Sequence, residues 1–128
     1  MNSAKNTAKP SKNTRPKSTK LEDELAYQLD LAKIEYQREF RAIEGRRFRW
    51  DFLFPVDSWM VGLPSSPVLL EVQGAIFVKG GHSTGTGIMR DHEKNNLAVV
   101  NGYRVLYANG PTIKSGEALR WVQEAVKK

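Results

Sequence analysis

The stretch Arg49-Trp50-Asp51-Phe52-Leu53-Phe54-Pro55, followed after a loop by Val68-Leu69-Leu70-Glu71-Val72-Gln73-Gly74, decides how this chain is read. Both ends are short, rich in branched and aromatic residues and closed by Pro or Gly, as buried strands are. Each nevertheless carries an acid. Burying an unpaired carboxylate is costly, so Asp51 and Glu71 are expected to be partnered, to face a cleft or to hold a metal. Side chains alternate along a strand, so Glu71 and Gln73 project from one face. Trp50, Phe52 and Phe54 are expected to share a face, with Asp51 on the other. If the two strands pair, Asp51 joins Glu71 and Gln73, and the backbone carbonyl of Val72 lies within the same group. Such hard oxygen ligands suit Mg²⁺ or Mn²⁺.

Outward from this stretch, 128 residues support a single domain with a core of ordinary size. There is no Cys, which excludes disulfides and thiolate metal sites. No apolar run approaches a membrane span, and the N-terminus lacks the apolar segment of a signal peptide, so no membrane partner and a cytoplasmic, nucleoid-associated location are expected. Charge is uneven: six of the 20 Lys and Arg lie in residues 1–20, and the other 14 balance the 14 acids, so the net +6 belongs to the tail. Residues 1–20 hold almost nothing apolar and read as a disordered basic arm. Such an arm serves either as a solubility tail or as a non-specific phosphate-binding segment. Residues 21–128 form the domain.

Thr19 or Ser18 is placed to cap a helix over Leu21–Ala32, with Leu21, Leu25, Leu29 and Ala32 at helical spacing and Glu22 to Glu24 in the first turn. Tyr36–Ile43 reads as a first strand and Phe48–Phe54 as a second. Pro55–Pro67 is a long connection, and Val68–Gln73 is a third strand that Ala75–Val78 extends. Lys79–Gly87 is a polar glycine loop containing His82. Its backbone N–H groups, hydroxyls and charge suit a phosphodiester backbone, and it lacks the P-loop spacing. Met89–Val100 is a second helix, charged early and apolar late, ended by Asn101-Gly102. Tyr103–Ala108 is a fourth strand, and Ser115–Val126 a closing amphipathic helix. The order α–β–β–β–α–β–α gives an α/β class with a mixed α+β sheet, antiparallel in its hairpins and parallel across the helix that connects the third and fourth strands.

An acid at one strand end and Glu-x-polar on the next, within an αβββαβ core with a C-terminal helix, resembles the PD-(D/E)XK (restriction-endonuclease-like) nuclease superfamily. The closer likeness is to small bacterial and phage members related to very-short-patch-repair endonucleases. The likeness rests on Arg46-Arg47-Phe48-Arg49-Trp50-Asp51-Phe52, Glu71-Val72-Gln73-Gly74, Gly81-His82, Arg90-Asp91-His92-Glu93-Lys94-Asn95-Asn96, Gly102-Tyr103-Arg104-Val105-Leu106 and Ser115-Gly116-Glu117-Ala118-Leu119. It covers Leu21 to Val126. The resemblance implies Asp51 and Glu71 as metal ligands and Gln73 where a Lys is usual. Gln cannot supply that positive charge, and Lys94 on the following helix is the candidate for a migrated Lys. Glu22 matches a helix-one Glu often seen near such sites. Lys79, His82, Arg90, Arg46 and Arg47 are the candidate DNA contacts.

The expectation is therefore a Mg²⁺- or Mn²⁺-dependent endodeoxyribonuclease acting on duplex, flap, mismatched or junction DNA in repair, recombination or phage DNA processing. Holliday-junction resolution would call for a homodimer to make two symmetric cuts. Two other readings stand beside it. One is a non-catalytic DNA-binding module that keeps the fold without the Lys. The other is a structural domain in which Asp51 and Glu71 pair with Arg49 and Arg104.

Overall fold

The computed structural model describes residues 19–56, 66–74 and 85–127. The sequence readings on the basic tail to residue 18, most of the Pro55–Pro67 loop, the extension at 75–78 and the glycine loop with Lys79 and His82 lie outside them.

Thr19 caps the first helix, its hydroxyl accepting from the Glu22 N–H at 3.1 Å, and α1 runs Lys20–Leu31. The strands β1 (Gln37–Phe40), β2 (Trp50–Phe54), β3 (Val68–Val72) and β4 (Arg104–Ala108) form one four-stranded sheet in that order. β1–β2 and β2–β3 are antiparallel and β3–β4 is parallel. The parallel pair is connected through α2 (Gly85–Val100). That helix begins earlier than its charged segment suggests, taking in the last residues assigned from sequence to the glycine loop. It ends as expected at Asn101-Gly102, where Gly102 adopts φ +93 and its N–H donates to the Val99 carbonyl.

The segment after β4 departs from the single closing helix. A short helix α3 (Gly110–Ser115) comes first, then α4 (Glu117–Ala125). Asn109 and Thr112 form a reciprocal capping box at the start of α3, with Pro111 in its first turn. Gly116 at φ +87 then breaks the chain between the two helices.

Two apolar layers flank the sheet. Leu25 and Leu29 of α1, Ile113 of α3 and Ala118 and Val122 of α4 pack with Phe52, Phe54, Val68 and Leu70 on one face. On the other, Ala98 of α2 packs with Trp50, Leu53 and Leu69. This corrects the expected face of Trp50. Phe52 and Phe54 stack 6.1 Å apart under α1, whereas Trp50 belongs with α2, so strand alternation breaks at Trp50–Asp51. Among the described residues no helix is long and apolar enough to cross a membrane.

Candidate functional site

One row across the sheet assembles the site. β2 pairs with β3 through Phe52↔Leu70, and with β1 through Arg38↔Phe52 and Phe40↔Trp50. Continuing each register by one step puts Asp51 opposite both Glu71 and Glu39. β3 pairs with β4 through Glu71↔Tyr107. Glu39, Asp51, Glu71 and Tyr107 therefore stand on the same rung of four adjacent strands.

The middle of that rung is distorted. Glu39 takes φ +57, a left-handed conformation that costs a non-glycine residue about 1–2 kcal/mol. Asp51 uses one oxygen, Oδ2, to accept from the Val72 backbone N–H at 2.7 Å. These local departures gather carboxylate oxygens of Glu22, Glu39 and Asp51 within 4.8 Å of one another. Glu22 comes from the first turn of α1, where the Thr19 cap sets its position. Glu39 is the acid that sequence reading missed, because nothing local marks a strand residue for a left-handed backbone.

Charge crowding shows in Glu22. It is buried, and its Oε1 has no hydrogen-bond partner among the described residues, although the Arg38 guanidinium stands 3.5 Å away. Burial first, and the Asp51 charge second, push its carboxyl up to about 7, against the opposing pull of Arg38. Arg49 pairs with Glu39 at 3.0 Å.

On the α2 side of the rung the counter-charge is Lys94, whose Nζ lies 2.5 Å from Glu71 Oε1 and 4.8 Å from the centre of the Trp50 ring. Burial pushes the Glu71 carboxyl up, with Asp51 adding to it and Lys94 opposing. Asn95, the next residue on α2, donates from Nδ2 to the Tyr107 hydroxyl. Burial, and then the Glu71 charge, raise the Tyr107 phenol above its ordinary value.

The sequence-derived candidates thus distribute in three ways. Asp51, Glu22 and Glu71 converge on one end of the sheet, Asp51 raising the proton affinity of both acids. Lys94 reaches that end from α2. Gln73 lies just past β3, half-buried, its N–H donating to the Ala108 carbonyl at 2.7 Å. Of the basic candidates, Arg46 lies over the Phe48 ring and pairs with Glu93 at 2.5 Å, while Arg47 and Arg90 are exposed. The structural alternative of Asp51 and Glu71 paired with Arg49 and Arg104 is not what forms. Arg49 pairs with Glu39, and Arg104 donates to the carbonyls of Ser66 and Ala125.

No family model, curated protein or solved structure matches this chain.

Proposed function

We propose that the chain is a divalent-metal-dependent endodeoxyribonuclease of the PD-(D/E)XK kind, using the acids at the end of the sheet. The observation that carries this reading is Asp51, shared between the Glu22–Glu39 side and the Glu71–Lys94 side of one sheet rung. Four carboxylates at one sheet end is an arrangement a folded protein keeps only with compensating cations. The buried Oε1 of Glu22 makes no hydrogen bond among the described residues and has the Arg38 guanidinium 3.5 Å away as an ion-pair partner. An all-oxygen donor set of this type fits Mg²⁺ or Mn²⁺.

Asp51 with Glu22 and Glu39, or with Glu71, would hold the ion. A bound divalent ion would polarise the phosphoryl group and make water more acidic. The chain itself contributes three things. The Val72 N–H fixes Asp51 by donating to its Oδ2 at 2.7 Å. Lys94, released from Glu71, supplies a cation to the phosphate, which Gln73 cannot. Arg47, Arg90 and the basic tail attract the DNA backbone, making affinity strongly salt-dependent. Hydrolysis adds water across one P–O bond, leaving a hydroxyl on one fragment and a phosphate monoester on the other. Cutting of a four-way junction would use two copies of the chain.

The test is cleavage of labelled duplex, flap and four-way-junction DNA with Mg²⁺, Mn²⁺ or EDTA. Metal-dependent cutting is expected, reduced at least about 100-fold by Asp51→Asn and by Glu71→Gln. Binding that survives EDTA, without cutting under either metal, would leave the non-catalytic DNA-binding module in its place.

A further inference from the structure

The Asn95–Tyr107 pair lies beside the acids but belongs to neither the metal cluster nor the Lys94–Glu71 bridge. Its placement is a consequence of the parallel β3–β4 register, which sets Tyr107 next to Glu71 on the edge strand of the sheet. α2 runs over the same face, so Lys94 reaches Glu71 while Asn95 reaches Tyr107.

The direction of the hydrogen bond matters. A phenol has one O–H to give and two lone pairs to receive. Asn95 Nδ2 donates to the Tyr107 oxygen and so occupies a lone pair, which leaves the O–H itself to be given elsewhere. Tyr107 is 42% exposed and lines a groove of about 520 Å³ with Val105, Leu106 and Trp121. A phenol is protonated at neutral pH and serves as a donor, not as a base.

We infer that Tyr107 is a catalytic residue whose O–H donates a hydrogen bond to a phosphoryl oxygen of the DNA held at Glu71 and Asp51, with Asn95 as the positioning residue that orients it. The inference rests on the nuclease reading and adds to it a neutral donor beside Lys94. No proton leaves Tyr107 in this role. Donors aimed at charge developing on phosphoryl oxygen act on the rate more than on ground-state binding.

The experiment compares wild type, Tyr107→Phe, Asn95→Ala and the double variant on whichever DNA the wild type cuts fastest with Mn²⁺. Three quantities are read: single-turnover rate with enzyme in excess, DNA affinity in EDTA, and thermal midpoint. Tyr107→Phe keeps the ring and is expected to slow the single-turnover rate by about 10²–10³-fold, with affinity changed less than about twofold. Asn95→Ala is expected to slow it by a smaller factor. The double variant should match Tyr107→Phe alone, because Asn95 acts through the hydroxyl. A cutting wild type with an unslowed Tyr107→Phe overturns this inference and leaves the nuclease standing, as does a Tyr107→Phe that lowers only the thermal midpoint. Strictly additive losses overturn the positioning role of Asn95. A wild type that cuts no DNA overturns both readings together.

Discussion

Glu22→Gln tests the electrostatics of the acidic end of the sheet in isolation from any activity. In the folded chain the Glu22 carboxyl is raised from 4.5 to about 7, by burial first and the Asp51 charge second. At about 1.4 kcal/mol for each tenfold change in proton affinity, an ionised Glu22 costs the fold about 3 kcal/mol relative to the protonated form. The sign follows from proton counting. Between pH 4.5 and about 7 the unfolded chain has lost this proton while the folded chain keeps it. Folded stability therefore falls as pH rises through that window, and this contribution is flat below and above it. Gln mimics the protonated acid in size and lacks the titration. In urea denaturation with EDTA, variant and wild type should be nearly equal at pH 4, and the variant should be more stable by up to about 3 kcal/mol at pH 7.5. A stability difference that does not change with pH would refute the argument, because another group would then carry the strain. Adding Mn²⁺ at pH 7.5 should close most of that gap, since an ion bound at 100 times its dissociation constant stabilises the wild type by about 2.7 kcal/mol.

Two further outcomes follow from the packing and the ion pairs. Lys94→Met removes the partner of a partly buried Glu71 and is expected to destabilise by about 1–3 kcal/mol, with Glu71→Gln added to it recovering part of the loss in a double-mutant cycle by chemical denaturation. Phe52→Ala empties a fully buried position between Tyr36, Phe54 and the Arg38 guanidinium, and should cost about 3–5 kcal/mol in the same measurement.

Local pattern carries far in this chain. Thr19 ahead of a leucine repeat marks the start of α1. The β-rich run to Phe54 and the Val-Leu-Leu run to Val72 mark β2 and β3, and Asn101-Gly102 ends α2. Each of these rests on side-chain periodicity or a capping residue, both of which act within a few residues of sequence. The short helix α3 was also within reach, since Asn109 followed by Pro111 is a helix start that reads equally well as a turn.

The sequence by itself determined the α–β–β–β–α–β order, the two strands bearing Asp51 and Glu71, and the availability of Lys94 on the connecting helix. Tertiary structure decided which groups share a site. Glu39 meets Asp51 only because its backbone adopts a conformation that strand propensity opposes, and surrounding contacts hold it there. Trp50 leaves the face of Phe52 and Phe54 because the alternation breaks at the same rung, giving Lys94 an aromatic surface on the α2 side. Tyr107 stands beside Glu71 because β4 is in one particular parallel register with β3. Periodicity tells which residues face a common side, whereas register and the packing of α1 and α2 on opposite faces are set by contacts far apart in sequence.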